Sequence, residues 1–402
     1  MSHAAEIVLA GNGPGELRGW IRPVARQLRV RAADQGPLPT LTLALTPSQF
    51  AGGREHEVVA RWGLFDRILD PATTVRTALG LSGVAVTRPA ALVHLGGDLL
   101  LSGRLARRLG IPAAAFAETP LVATRHRYFA RVFAATDALA ADLRRRGVPV
   151  EKIVVTGDPR ADAFAMPSPE SSPDVPSGDR SVSVVSFLPG SRDRFLTVLA
   201  PFFHQAATVA ARAHPTTRFQ FIVSEFLTPA TVEAVRRRIE AANGAQIHWI
   251  LEEGWQAVTR SDFVVTIPGT NTLELALAGV PFAVVVPTDF MDRAAVEGLW
   301  EWVARLPGLG GWLRRAALHR YLARHRFLAI PNQRVGRAVV PEWIGPLSAA
   351  DVGRHMAEAL SDAGGRAAIA RALRDLALGR PGAAGCIAAE ALRLAAASGT
   401  AS

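Results

Sequence analysis

The chain has 402 residues, 49% of them hydrophobic and 20% charged, with a formal net charge of +10. The apolar share argues against extended disorder, and the length suits two domains of ordinary size. One cysteine, Cys386, and ten scattered histidines leave no disulfide framework, no cysteine cluster for zinc and no histidine–carboxylate constellation, so no metal or other cofactor is expected.

The first residues lack a basic start and run directly into a strand, which is not the pattern of a signal peptide. No run of about 20 apolar residues occurs, so a spanning helix is not expected; the single cysteine, which allows no disulfide framework, fits a reducing, cytoplasmic setting. Ile7–Ala10 reads as the first strand. The Gly-rich turn Gly11-Asn12-Gly13-Pro14-Gly15-Glu16 follows, then a helix near Arg18 to Arg31. Leu41–Leu45 and Phe65–Leu69 read as further strands. Ala91–Leu95 is another, followed by Gly96-Gly97-Asp98 and a helix through Leu109. Ala113–Phe116, Arg131–Ala134 and Ile153–Val155 complete the strands of the first half, with a helix near Asp137 to Arg146. Strands alternating with helices imply a parallel sheet covered on both faces.

Residues 166–179 are rich in Pro, Ser and Asp and have no apolar period, so the domain boundary is placed there. The expected domains are 1–165 and 180–348, with helices over 349–402 packing back across them. In the second half, Ser183–Leu188 reads as strand, Pro189-Gly190-Ser191-Arg192 as a turn into a helix, and Phe219–Val223 as strand. Glu233–Ala242 reads as helix and Gln246–Leu251 as strand. Phe263–Ile267 and Phe282–Val286 are apolar strands that enclose a polar knot, Pro268-Gly269-Thr270-Asn271-Thr272, and a short helix. The tail from Ala349 to Ala397 reads as helix broken near Gly364-Gly365 and between Gly379 and Gly385.

In parallel α/β sheets, ligands bind at the carboxyl ends of strands. Four turns there carry chemistry. Gly11, Gly13 and Gly15 miss the dinucleotide spacing, because Glu16 stands where a glycine is needed, but they let a ligand approach the backbone. Gly190, Ser191 and Arg192 offer N–H groups, a hydroxyl and a fixed charge at a helix start, an arrangement suited to an anion. Gly269, Thr270, Asn271 and Thr272 start a second helix, and Glu274 lies in its first turn. Glu274 either complements the helix dipole or accepts from a ribose diol; the size of the knot favours the ribose. Capped turns without a ligand are the competing explanation for each.

The stretches FLPGSR (Phe187–Arg192), PGTNTLELALAGVPFAVVVP (Pro268–Pro287) and IPNQRVGRAVVPEWIG (Ile330–Gly345) resemble the lipid-A-disaccharide synthase family. The resemblance covers most of the chain in order. It implies a GT-B fold, two Rossmann-like domains facing across a cleft. It also implies inverting, metal-independent transfer of a glucosamine-type sugar from UDP to a lipid-linked acceptor. Asp98 then becomes the first candidate base and Glu16 the second, with helix N-capping as the alternative for Asp98. Arg192 and the Gly269–Thr270 helix start would meet the leaving diphosphate, with contacts from Asn332 and Arg337. Gly11, Asn12, Gly13 and Gly15 would lie on the acceptor side. This chain departs from the family pattern at Pro268 (for Ser) and at Phe195 (for Glu). Gly96-Gly97-Asp98 is reduced from a longer Asp-rich motif, and AETPLVATRHR replaces a Trp-containing acceptor motif. The acceptor half has diverged more than the nucleotide half, so the acceptor is expected to differ from the ordinary lipid A precursor.

The positive charge is almost all arginine, Lys152 being the sole lysine, and it favours anionic partners. Between Trp300 and Phe327, arginines alternate with Trp302, Trp312 and Tyr321, and no acid occurs from Glu301 to Glu342. This reads as peripheral contact with an anionic membrane. A core-facing helix pair or a homodimer contact would use the same residues. No nucleic-acid module is recognisable. A UDP-sugar epimerase of the same fold and a nucleotide-sugar-binding protein without catalysis are the other functional readings.

Overall fold

The computed structural model describes residues 5–35, 37–48, 52–81, 83–165, 182–251, 254–288, 320, 326–376 and 381–399. The chain divides into two compact units, one of residues 1–166 with 379–402, the other of residues 167–378. Nearly all of the aromatic–arginine stretch 300–327 lies outside the described residues, as does the whole of 166–179.

Unit 1 is built on seven parallel strands: β1 (Glu6–Gly11), β2 (Thr40–Leu45), β3 (Arg67–Leu69), β4 (Ala90–His94), β5 (Ala113–Ala117), β6 (Arg131–Ala134) and β7 (Ile153–Val155), in the order β3-β2-β1-β4-β5-β6-β7. Its central strands are buried along their whole length and mostly apolar, as in a parallel sheet covered on both faces. The final helix, Ala383–Gly399, returns to this unit and packs on β4. Asp162 holds its start by accepting from Ala384 N at 2.8 Å, and Ser398 Oγ joins its end to Ala90 O at 3.0 Å.

Unit 2 carries six parallel strands: β8 (Val184–Leu188), β9 (Arg218–Ile222), β10 (Ile247–Ile250), β11 (Phe263–Thr266), β12 (Phe282–Pro287) and β13 (Glu342–Gly345), in the order β10-β9-β8-β11-β12-β13. Phe187, Phe203, Phe219 and Phe221 pack between the sheet and the Asp193–Ala213 helix, with ring centroids 5.3–6.3 Å apart. These contacts join residues of β8, β9 and the long helix into one core.

The tail breaks where expected to within two residues: the helix ends at Ser361 and a new one starts at Ala363, with Asp362 between them and Gly364 and Gly365 inside the second helix. The Asp362 carboxylate caps that helix, accepting from Gly365 N at 2.7 Å, and a Cβ on Gly365 would lie 2.1 Å from its Oδ2. The glycine is therefore room for a cap, not a helix breaker. The strand β13 was not anticipated, because a Pro–Glu–Trp start offers no alternating pattern; its pairing with β12 supplies the order.

Candidate functional site

In each sheet the chain reverses its direction of travel between two adjacent strands, β1 and β4 in unit 1, β8 and β11 in unit 2. Loops leaving such a pair diverge and leave a crevice at the carboxyl edge. All four turns singled out in the sequence leave these four strands. The two units nevertheless treat their crevices in opposite ways.

In unit 2, Leu188 and Thr266 are register partners at the ends of β8 and β11. The turns that follow converge: a Cβ on Gly190 would lie 3.1 Å from Ile267 Cδ1, and Gly190 takes φ +107°, which glycine adopts without strain. Arg192 stands at the N-cap of the Asp193–Ala213 helix and Thr270 at that of Asn271–Leu277, and neither side chain caps its helix. Gly269 and Thr270 are exposed; Gly190, Ser191 and Arg192 are half-buried. The Arg192 guanidinium lies 5.9 Å from the Phe195 ring centroid. Two helix starts without side-chain caps, with an arginine beside them, present N–H dipoles and positive charge to an anion.

Other residues expected at this site have different roles. Asn332 is fully buried and its amide is saturated: Oδ1 accepts from Val339 N at 2.7 Å and Val340 N at 3.0 Å, while Nδ2 donates to Val340 O at 2.9 Å and Glu342 Oε1 at 2.8 Å. An amide has no further capacity for a nucleotide, so its expected role as a direct ligand is corrected to that of a lock. Glu342, which the sequence reading missed, completes the lock by accepting from Leu328 N and Ala329 N, both at 2.9 Å. Thr272 is corrected likewise: it is buried, donates to Gly269 O at 2.8 Å and accepts from Ile330 N at 3.1 Å. Asn271 Nδ2 donates to Thr266 Oγ1 within the turn. Glu274 is 2% exposed, on the covered face of its helix, so it does not lie open to a ribose as expected. Arg337 is exposed.

In unit 1 the corresponding crevice is closed by the protein itself. Glu16 Oε2 accepts from Asn12 N at 2.9 Å and Gly13 N at 3.0 Å, and Oε1 accepts from Gly97 N at 3.1 Å. Gly11, Asn12 and Gly13 are buried and Gly15 is half-buried. The Asn12 side chain turns inward and donates to Thr46 O. Asp98 is the N-cap of Leu99–Leu109: Oδ1 accepts from Leu101 N at 2.6 Å. Its residue is exposed, and Oδ2 makes no hydrogen bond among the described residues. Capping and proton transfer are compatible here, because they use different oxygens.

Behind Asp98, His94 Nδ1 lies 2.9 Å from Ser102 Oγ. Burial lowers the His94 pKa to about 4, against a smaller opposing effect of Asp98. A depressed histidine pKa means that the unfolded chain binds more protons between pH about 4 and 6.5, so stability falls as pH falls through that window. Linkage sets the size: the fold loses about 2 kcal/mol through His94 between pH 7 and pH 5. Urea unfolding at both pH values, for the wild type and His94→Gln, measures it. An equal pH slope in the two proteins would refute the assignment.

A further cluster at the same edge was not anticipated. Arg160 is 1% exposed and forks onto Asp158, with Nε 3.0 Å from Oδ1 and Nη2 2.6 Å from Oδ2; it also binds Glu118. Trp20 Nε1 donates to Asp158 at 3.1 Å, and the guanidinium stacks 4.9 Å from the Trp20 ring centroid. Burial works against the Arg160 charge, but Asp158 and Glu118 outweigh it and raise the pKa. Glu118 follows β5, Asp158 and Arg160 follow β7, and Trp20 lies in the helical segment after β1; the signal was the acid–Pro–Arg run at a strand end, Asp158-Pro159-Arg160.

The family model for lipid-A-disaccharide synthetase matches residues 160–296, a stretch that contains both turns of the unit 2 crevice. The lipid-A-disaccharide synthase of Syntrophotalea carbinolica is 27% identical over 207 residues, 49% of this chain and 51% of that one. That of Geobacter metallireducens is 25% identical over 293 residues, 70% of this chain and 68% of that one. The chain is similar to the lipid-A-disaccharide synthases, at low identity. It spans from about half to about two thirds of these relatives' lengths. A solved Listeria monocytogenes structure, named for UDP-N-acetylglucosamine 2-epimerase, superposes with TM-score 0.58 at 13% identity, covering 98% of this chain and 95% of that one. Two parallel α/β units of this kind in one chain are the GT-B fold. Among the described residues, the lipid-A-disaccharide synthase resemblance holds at the unit 2 turns, whose geometry suits an anion. In unit 1, the Gly-rich turn is closed by Glu16.

Proposed function

We propose that this protein is a glycosyltransferase of the lipid-A-disaccharide synthase type, moving a hexosamine-type sugar from a UDP-sugar to a lipid-linked acceptor. The observation that carries the reading is the pair of helix starts at the β8/β11 switch point, which no side chain caps, with Arg192 at one of them. Helix starts beside an arginine suit a diphosphate. The acceptor hydroxyl oxygen attacks the anomeric carbon, the bond from that carbon to the diphosphate oxygen breaks with its electron pair, and configuration inverts. Asp98 Oδ2 takes the hydroxyl proton. Arg192 and the helix starts meet the charge that develops on UDP, so the reading requires no metal or other cofactor.

Calorimetry with UDP, UDP-N-acetylglucosamine, UDP-glucose, GDP-mannose and ADP tests the donor half. A UDP species binds the wild type, and Arg192→Ala weakens it about tenfold or more, as expected for loss of a charge-assisted contact. Equal binding of all nucleotides, or of none, retires the reading in favour of a structural role for the turns.

No helix among the described residues is long and apolar enough to cross a membrane. We place the protein at the inner face of a membrane, held through the aromatic–arginine stretch 300–327, where the lipid-linked acceptor resides. In flotation assays the wild type rises with vesicles containing anionic lipid, and the combined Trp312→Ala, Arg314→Ala and Arg315→Ala variant stays behind. A wild type that remains in the dense fraction ends this proposal.

A further inference from the structure

The two switch points differ in one side chain. Glu16 lies five residues beyond the end of β1, and Asp193 lies five residues beyond the end of β8. Asp193 turns toward the β9 side: it accepts from Thr228 N at 2.9 Å and Thr231 Oγ1 at 3.1 Å, both beyond β9. Glu16 turns the other way, into the crevice between the β1 and β4 turns, and its oxygens take the N–H groups of Asn12, Gly13 and Gly97. These donors belong to both turns of the switch point. Gly96 is needed there for space, since a Cβ on it would lie 2.3 Å from the Glu16 carboxyl carbon. The second helix start of the crevice is capped by another carboxylate, Asp98. Four N–H groups that an incoming anion would use, those of Asn12, Gly13, Gly97 and Leu101, are already answered by two carboxylates of the chain, Glu16 and Asp98.

We infer that Glu16 is a specificity-determining residue: its carboxylate occupies the anion seat of unit 1 and keeps phosphate groups out of it. Neutral, hydroxyl-bearing groups meet no such barrier. The β8/β11 crevice, where the equivalent acid turns away, is left as the phosphate-binding one. This goes beyond the transferase reading and does not depend on it, because the exclusion concerns inorganic phosphate and requires no turnover.

The experiment follows the backbone amides of Asn12, Gly13 and Gly97 by NMR in the full-length protein during titration with inorganic phosphate. In the wild type these amides do not move. In Glu16→Ala the carboxylate is gone and the N–H groups are free, so the amides shift saturably, with an affinity at least about tenfold above any wild-type response. Phosphate also raises the melting temperature of Glu16→Ala more than that of the wild type, since it binds only the folded state at this seat. Glu16→Gln, which keeps the side-chain volume, gives the same direction with a smaller shift. Wild-type amides that titrate with phosphate would overturn the inference. So would a folded Glu16→Ala or Glu16→Gln protein whose three amides ignore it. Failure of UDP to bind the wild type would leave these outcomes unchanged, so the two readings fail separately.

Discussion

Asp98→Asn lowers kcat by about 10²–10⁴-fold while donor affinity stays the same. Asparagine caps helices as well as aspartate does, so the Leu99–Leu109 helix keeps its first turn and the fold is preserved. What is lost is the proton acceptor. In the structure one carboxylate oxygen serves Leu101 N and the other makes no hydrogen bond among the described residues, so a single substitution separates the roles. Steady-state turnover with a lipid-linked acceptor, paired with calorimetric titration of UDP, reads both. Full turnover in Asp98→Asn would reduce Asp98 to a cap and move the search for the base elsewhere. A drop in donor affinity with kcat retained would be equally damaging, since a base acts in the transition state and not on the bound nucleotide.

Arg160→Met destabilises the protein by about 3–5 kcal/mol. The substitution keeps much of the volume but strands Asp158, itself 1% exposed, without the guanidinium that it faces through three bonds. Glu118 loses the same partner. The Trp20 ring loses a stacked cation, which adds to the cost. Replacing all three charges together, with Asp158→Leu and Glu118→Gln, recovers part of the loss, because removing a buried charge and its partners jointly avoids an unpaired ion. Equilibrium urea unfolding of the single and triple variants distinguishes this from a packing effect. A single variant within about 1 kcal/mol of wild type would show that solvent reaches the cluster after all.

Much of the secondary structure was legible. The strands β1, β2, β4, β5, β8, β11 and β12 are short apolar runs that end at glycine or proline turns, and each lies within about two residues of where the sequence places it. Their alternation with helices implied parallel sheets, since strands buried on both faces lose the polar alternation of open ones. The four ligand-type turns were also legible, because glycine, proline and small polar residues at strand ends have few other uses. The helix Glu55–Arg61 and the strand β13 were not, since neither is long or periodic enough to stand out locally.

The sequence by itself thus determined two parallel α/β sheets and the turns at their carboxyl edges. Those depend on the apolar or polar character of residues close together in the chain. Only the tertiary structure decided what each polar residue does. Glu16 meets Gly97 across 81 positions, Arg160 meets Glu118 across 42, and Thr272 meets Ile330 across 58. A carboxylate, an amide and a hydroxyl each accept hydrogen bonds equally well from a ligand or from backbone. Which partner wins is set by strand order, which brings distant turns together, and by burial, which removes water as the alternative. That is why Asn332 and Glu16 carry the residue types of a binding site and yet use them on the protein's own groups.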